Sequence, residues 1–311
     1  MWIYLIFLQL LFCVSQKPTV TIKKQINKEG ENDDKNEVYR EIGRNLAGKL
    51  LGYYGKVRDE NMVLYINSVG KYLASSVEGN QTFFFDVLNT DVINAFACPG
   101  GYILITKGLI KNLNNEAELS MVLAHEISHI TRNHMIQAME QEEKELPVDS
   151  VTASRQREVT ESKLASSVSR YLMSSGAMTS AVVAEGMRKS LGILFDKGLD
   201  HKLEWEADRI GQKLAIDSGY DPHSFTNFLK RLQMIHGKNN LKLLTQTHPS
   251  PKSRREKLEK ELENLPLQEL VSALGEERFL KNTSSIRGKV TPIVPVAKPQ
   301  SLKKTDQKML Q

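Results

Sequence analysis

Cysteine is nearly missing from this chain of 311 residues, which has two, Cys13 and Cys98. Cys13 lies in an N-terminal apolar run, so removal of that run would leave Cys98 alone and exclude an intramolecular disulfide. Long apolar runs are also scarce. Trp2–Val14 is too short for a comfortable membrane span, and the uncharged stretch Tyr171–Ala184 falls short of the ~20 residues that a membrane-crossing helix needs. A basic surplus on the folded part is missing as well. The net charge is +5, but seven Lys and Arg against the single Asp306 lie from Lys281 onward, a local +6 that leaves the rest at −1. No nucleic-acid partner is expected from that distribution, and the basic tail reads as a solvated extension. Finally, glycine and proline are absent between Gly108 and Pro147, so nothing there forbids one continuous helix.

What is present is ordinary globular composition, 40% hydrophobic and 25% charged, in a chain long enough for a sizeable core. Residues 1–15 read as a signal peptide or N-terminal anchor. Export with cleavage before Gln16 is the first expectation, a lipid anchor on Cys13 the second and an uncleaved anchor the third, although no Lys or Arg precedes the apolar run. Residues 16–37 form a polar linker, 38–265 the main domain, and 266–311 an extension, largely disordered and basic from about 281. Helical spacing over 38–55 and 59–77 predicts two helices around a turn at Gly52-Tyr53-Tyr54-Gly55. Aromatic and β-branched runs at 82–87, 92–97 and 101–106, separated by Asn89-Thr90-Asp91 and Cys98-Pro99-Gly100-Gly101, predict three short strands. Residues 151–195 read as an amphipathic helix that packs, covers a site or touches a membrane surface.

The chemistry centres on His125-Glu126-Ile127-Ser128-His129. Leu119, Val122, Leu123, Ile127 and Ile130 recur at helical spacing, and Asn115 with Glu118 forms a capping pair at the start. Four residues apart on a helix, His125 and His129 share a face and can both bind one metal ion. Glu126 then stands beside the ion, the position of a general base for an attacking water. Two histidines leave a catalytic zinc one protein ligand short. Leu203-Glu204-Trp205-Glu206-Ala207-Asp208 supplies candidates: Glu204 and Asp208 share a face, so one can bind metal while the other holds a ligand histidine. Glu206 projects elsewhere and reads as a surface carboxylate. Of the other histidines, His134 reads as surface or helix packing, and His223 and His236 as helix ends.

Together, Asn94-Ala95-Phe96 with Pro99-Gly100-Gly101, Gly108-Leu109, His125-Glu126-x-x-His129, Glu204-x-x-Ala207-Asp208, and Thr247-His248-Pro249 with Arg254 resemble the zinc metallopeptidases of the HtpX, BepA and Ste24-protease group, family forty-eight of the peptidases. The likeness runs from about residue 40 to 262. It is nearer to the soluble, envelope-located BepA type and the mitochondrial inner-membrane type than to members with transmembrane helices. It implies one Zn2+ per chain on His125, His129 and Glu204, Asp208 behind the ligands, Glu126 as base, and a substrate strand along Asn94, Ala95 and Phe96. It also implies His248 above the metal, as a plug or an oxyanion donor, with Arg254 close by, and the mechanism expected lets His248 or Arg254 stabilise the oxyanion. The usual Ser-Arg before the third ligand is replaced by Asp200-His201-Lys202, which makes His201 a rival ligand.

The fold expected is α+β, mostly helical and zincin-like, with a small sheet beside the active-site helix. The function expected is a zinc endopeptidase that binds unfolded or misfolded proteins along an edge strand, with possible contact to a membrane surface. Its place would be the cell envelope after export, or alternatively a mitochondrial inner-membrane, intermembrane or other secretory compartment. The rival is a latent zinc-binding chaperone or scaffold module capped by His248.

Overall fold

The computed structural model describes residues 19–144, 181–234, 242–263 and 273–287, with side chains from residue 36 in the first helix. The expected leader (1–15), the Ser-rich part of 151–180 and the basic tail beyond 287 lie outside the described residues. Helix α1 (Thr19–Tyr54) begins within the stretch read as a linker and runs through the expected turn. Gly55, at a φ of 74°, closes it by donating its N–H to the Leu51 carbonyl at 2.9 Å. Helix α2 (Glu60–Ala74) follows, its first turn capped by the Asp59 carboxylate.

The sheet contains β1 (Phe84–Leu88), β2 (Ala95–Cys98) and β3 (Tyr102–Thr106) in the order β1-β3-β2. β1 runs parallel to β3 and β2 antiparallel to it, so β2 is an edge strand. The turn between β2 and β3 takes Gly100 and Gly101 at φ 79° and 103°. A Cβ on Gly101 would lie 1.9 Å from the Thr82 carbonyl oxygen, so both conformation and space demand glycine there. Thr106 ends the sheet; its hydroxyl donates to Val92 O at 2.6 Å and accepts from Leu109 N at 3.1 Å, tying β3 to the next helix.

The helix expected to start at the Asn115 cap and run toward Pro147 is two, α4 (Glu116–Thr131) and α5 (His134–Lys144), with the short α3 (Lys107–Asn112) before the cap. Asparagine stands at both boundaries, the expected start of α4 and the unexpected break after it. Asn115 turns its side chain onto Glu118 N at 2.9 Å instead of continuing the helix, and Asn133 adopts a φ of 54°. Every residue of α4 from Glu116 to Ile130 is buried, as for a helix surrounded on all sides.

After residue 180 come α6 (Ala181–Gly192) with a π-helical turn Ile193–Lys197, α7 (His201–Asp217), α8 (Ser224–Met234), α9 (Lys242–Thr247), α10 (Pro251–Glu263) and α11 (Glu276–Arg287). The described end of the 151–195 stretch packs, with Val183 and Met187 against Ile42 and Ile193 against Met135 and Met139. Helix α11 lies within the extension expected to be largely disordered. Its Phe279 is fully buried and its Arg287 reaches the Ile110 carbonyl at 2.7 Å, so this part of the extension belongs to the core. Among the described residues no helix is long and apolar enough to cross a membrane. The architecture is mostly helical with a small mixed sheet against α4, in agreement with the fold class read from the sequence.

Candidate metal centre

Two helices build the site. α4 presents His125, Glu126 and His129, and α7 crosses it closely enough to present Glu204 and Asp208 to the same point. Gly211 allows that approach: a Cβ there would lie 2.8 Å from His125 N. The Nε2 atoms of His125 and His129 face each other at 2.9 Å. Glu204 reaches toward both, with Oε1 3.5 Å from His129 Nε2 and Oε2 3.8 Å from His125 Nε2. His248, after α9, brings Nδ1 to 2.6 Å from Glu204 Oε2. Atoms of His125, Glu204 and His248 lie within 4.8 Å of one another, a spacing that suits one ion.

The residues fit zinc. Ligands of a tetrahedral zinc with bonds of about 2.0–2.1 Å stand roughly 3.3 Å apart, inside the range observed among these atoms. Glu204 Oε1 is buried and has no hydrogen-bond partner among the described residues, a costly state for a carboxylate oxygen unless something binds it. The donor set, imidazole nitrogen with carboxylate oxygen, is one that zinc accepts. His201, the rival ligand, is exposed at the first residue of α7 and lines a neighbouring cavity instead.

Electrostatics prepare the ligands. Burial opposes ionisation of Glu204, but His248 and the two α4 histidines overcome it and bring its pKa down to about 2. Asp208 is likewise desolvated, yet Arg254 and His125 hold it well below the usual carboxylate range. Burial and the neighbouring His125 push His129 far down, which keeps its imidazole neutral. His125 is pulled down by burial and raised, on balance, by Asp208. The contact of His125 Nδ1 with Asp208 Oδ1 at 2.9 Å puts the proton on Nδ1 and turns the Nε2 lone pair inward. Arg254 completes this support, with Nε donating to Asp208 Oδ2 at 2.8 Å and its ring-side neighbour Phe225 5.2 Å beneath the guanidinium.

Glu126 opens onto a small cleft lined by Asn94, Ala95, Ala97, His129, Ile193 and Leu199, among others. Burial raises its pKa, against the pull of His125 and His248. Asn94 Oδ1 is buried in the same cleft with no partner among the described residues. Phe96 does not line it. Its ring packs on Phe195 at 5.5 Å instead. Arg254 does not line it either; it faces the adjoining cavity with Trp205 and Lys257.

Two residues escaped the sequence reading. His134 is fully buried, and its Nδ1 stands 3.0 Å from His129 Nδ1. Glu206 faces it and also accepts from Arg132 Nε at 2.6 Å. The signal that could have found them is Asn133, whose left-handed conformation reverses the chain after α4 and carries the next residue back toward His129.

The family profile described as Peptidase family M48 matches residues 64–262. The chain is 34% identical over 217 residues to the beta-barrel assembly-enhancing protease of Escherichia coli (strain K12), covering 69% of this chain and 42% of that protein. It is 25% identical over 225 residues to the mitochondrial metalloendopeptidase OMA1 of Schizosaccharomyces pombe, covering 72% of this chain and 58% of that protein. With the Bos taurus metalloendopeptidase OMA1, mitochondrial, it shares 27% identity over 182 residues, 56% of this chain and 31% of that protein. The chain thus matches less than two thirds of the length of each of these relatives.

Proposed function

Because this chain belongs to peptidase family M48, we propose that it is a zinc-dependent endopeptidase of unfolded or misassembled proteins. The observation that carries the reading is the meeting of His125, His129 and Glu204 beside a cleft into which Glu126 opens. His125, His129 and Glu204 would hold the metal, with Asp208 and Arg254 fixing His125. Bound there, zinc supplies Lewis acidity to the scissile carbonyl and acidifies the attacking water. Glu126 takes the proton of that water and later gives it to the leaving amine. Its pKa, raised by burial, makes it a better proton acceptor than a solvated carboxylate.

Substrate would lie extended along the outer edge of β2, unpaired among the described residues, and pair main chain to main chain, which favours unfolded segments and is largely independent of sequence. Asn94 Oδ1 offers an acceptor to a substrate N–H. Protein quality control follows from that preference. The proposed place is the cell envelope after export, beside a membrane surface, with a mitochondrial or other secretory compartment as the alternative.

The second reading is a latent zinc module with chaperone or scaffold behaviour, and the contact of His248 with Glu204 at 2.6 Å favours it in the resting state. The deciding experiment is casein cleavage by the zinc-loaded chain beside its Glu126→Gln form. The endopeptidase predicts cleavage by the first, at least 100-fold less by the second, and one zinc in each. Absence of cleavage by both, with zinc retained, would favour the latent module.

A further inference from the structure

The two ligand histidines are supported differently. His125 has a carboxylate directly on Nδ1, 2.9 Å away, whereas His129 has another imidazole there, His134, at 3.0 Å. For His129 Nε2 to offer its lone pair to a metal, His129 Nδ1 must carry the proton and donate it. His134 Nδ1 must then accept, which leaves the proton of His134 on Nε2. That atom is buried, has no hydrogen-bond partner among the described residues, and lies 3.5 Å from Glu206 Oε2. Glu206 is 30% exposed at its side chain and is held from the other side by Arg132.

We propose that His134 and Glu206 are positioning residues, a relay from His129 through His134 to the Glu206 carboxylate that fixes the tautomer of His129 and so the strength of the metal site. The proposal rests on the zinc reading above but concerns residues that touch neither substrate nor metal. The relay explains why a polar ring sits at a fully buried position at the start of α5. An apolar residue could fill the same space but could accept nothing from His129. It also gives Asn133 a purpose, since a helix continued past Thr131 would carry residue 134 away from His129.

The test is zinc affinity of the full chain, measured by competition with a chromophoric chelator, together with the unfolding midpoint of the metal-free protein. In His134→Asn the amide oxygen occupies the place of Nδ1 and can still accept from His129; in His134→Leu nothing can. The relay predicts that His134→Leu loses about 10–100-fold in zinc affinity and that His134→Asn recovers most of it, at equal metal-free stability. Equal zinc affinity of the two variants, weakened or not, would overturn it. Should His134→Leu fail to fold, the natural chain decides through nitrogen-15 spectra of its labelled histidines in the zinc-loaded form. The relay requires the proton of His134 on Nε2 and that of His129 on Nδ1, and a proton on His134 Nδ1 would sink it. A natural chain that binds no zinc would instead refute the metal site itself.

Discussion

At His248 the imidazole engages the carboxylate proposed to bind the metal. Nδ1 stands 2.6 Å from Glu204 Oε2, and the side chain roofs the same cleft onto which Glu126 opens. A donor so placed occupies Glu204 and narrows the cleft onto which Glu126 opens. His248→Ala should therefore raise casein cleavage several-fold, with zinc still bound by His125, His129 and Glu204. Lower cleavage at unchanged zinc content would make His248 an oxyanion donor, whose removal costs a few kcal/mol of transition-state stabilisation. Arg254 belongs to another role at this scale. Its bond to Asp208 compensates a buried charge that would otherwise be expensive, and so it acts on the metal site only through Asp208 and His125.

Between elements, the decisive contact is the crossing of α4 and α7. Neither helix holds a complete ligand set, and the crossing distance determines whether Glu204 meets the histidines. Gly211 lies against the backbone of His125, where an added Cβ would stand 2.8 Å from N and 2.9 Å from Cα. Backbone cannot step aside as a flexible side chain can. Gly211→Ala should force α7 outward, at a cost of about 1–3 kcal/mol in the metal-free unfolding free energy, and weaken zinc binding in the same variant. Urea unfolding and chelator competition measure the two effects. Loss of stability with zinc affinity intact would show that the crossing can relax without moving Glu204.

For the molecule as a whole, α11 is fastened to the start of α4. Glu116, buried, receives the hydroxyls of Tyr65 at 2.7 Å and Tyr220 at 2.9 Å and pairs with Arg278 of α11. Burial works against its charge, but Arg278 and the two tyrosines outweigh that and lower its pKa below the usual 4.5. A depressed carboxyl stabilises the fold fully above its unfolded-state value and loses that contribution as pH falls through the folded one. The natural chain should therefore exceed Glu116→Gln in stability at pH 7 by about 1–2 kcal/mol, a figure kept small because Arg278 is largely exposed. The advantage should shrink as pH drops below 4.5. Glu118, whose carboxyl is shifted up by burial, titrates in both proteins and cancels from the comparison. Thermal melts across the acid range read the difference, and an advantage constant with pH would disprove the assignment.

The sequence by itself determined the class of the fold and offered the candidate residues of the site. His125, Glu126 and His129 are four residues or fewer apart, and helical periodicity alone puts them on neighbouring positions of one face. The three strands and the cap at Asn115 were legible for the same reason: turn and cap preferences act over a few residues. Glu204 and Asp208 could be paired with one another by spacing, but their meeting with His125 depended on recognising a familiar set of motifs. What only the tertiary structure decided lies at long range. It brought Glu116 to Arg278 and His248 to Glu204, and it turned Arg254 away from the cleft onto Asp208. His134 shows the limit most clearly. A continued helix would have carried it to another face, and one left-handed Asn133 returned it to His129. Local periodicity carries no information across such a reversal, because one backbone angle redirects every residue that follows it and only packing determines where they arrive.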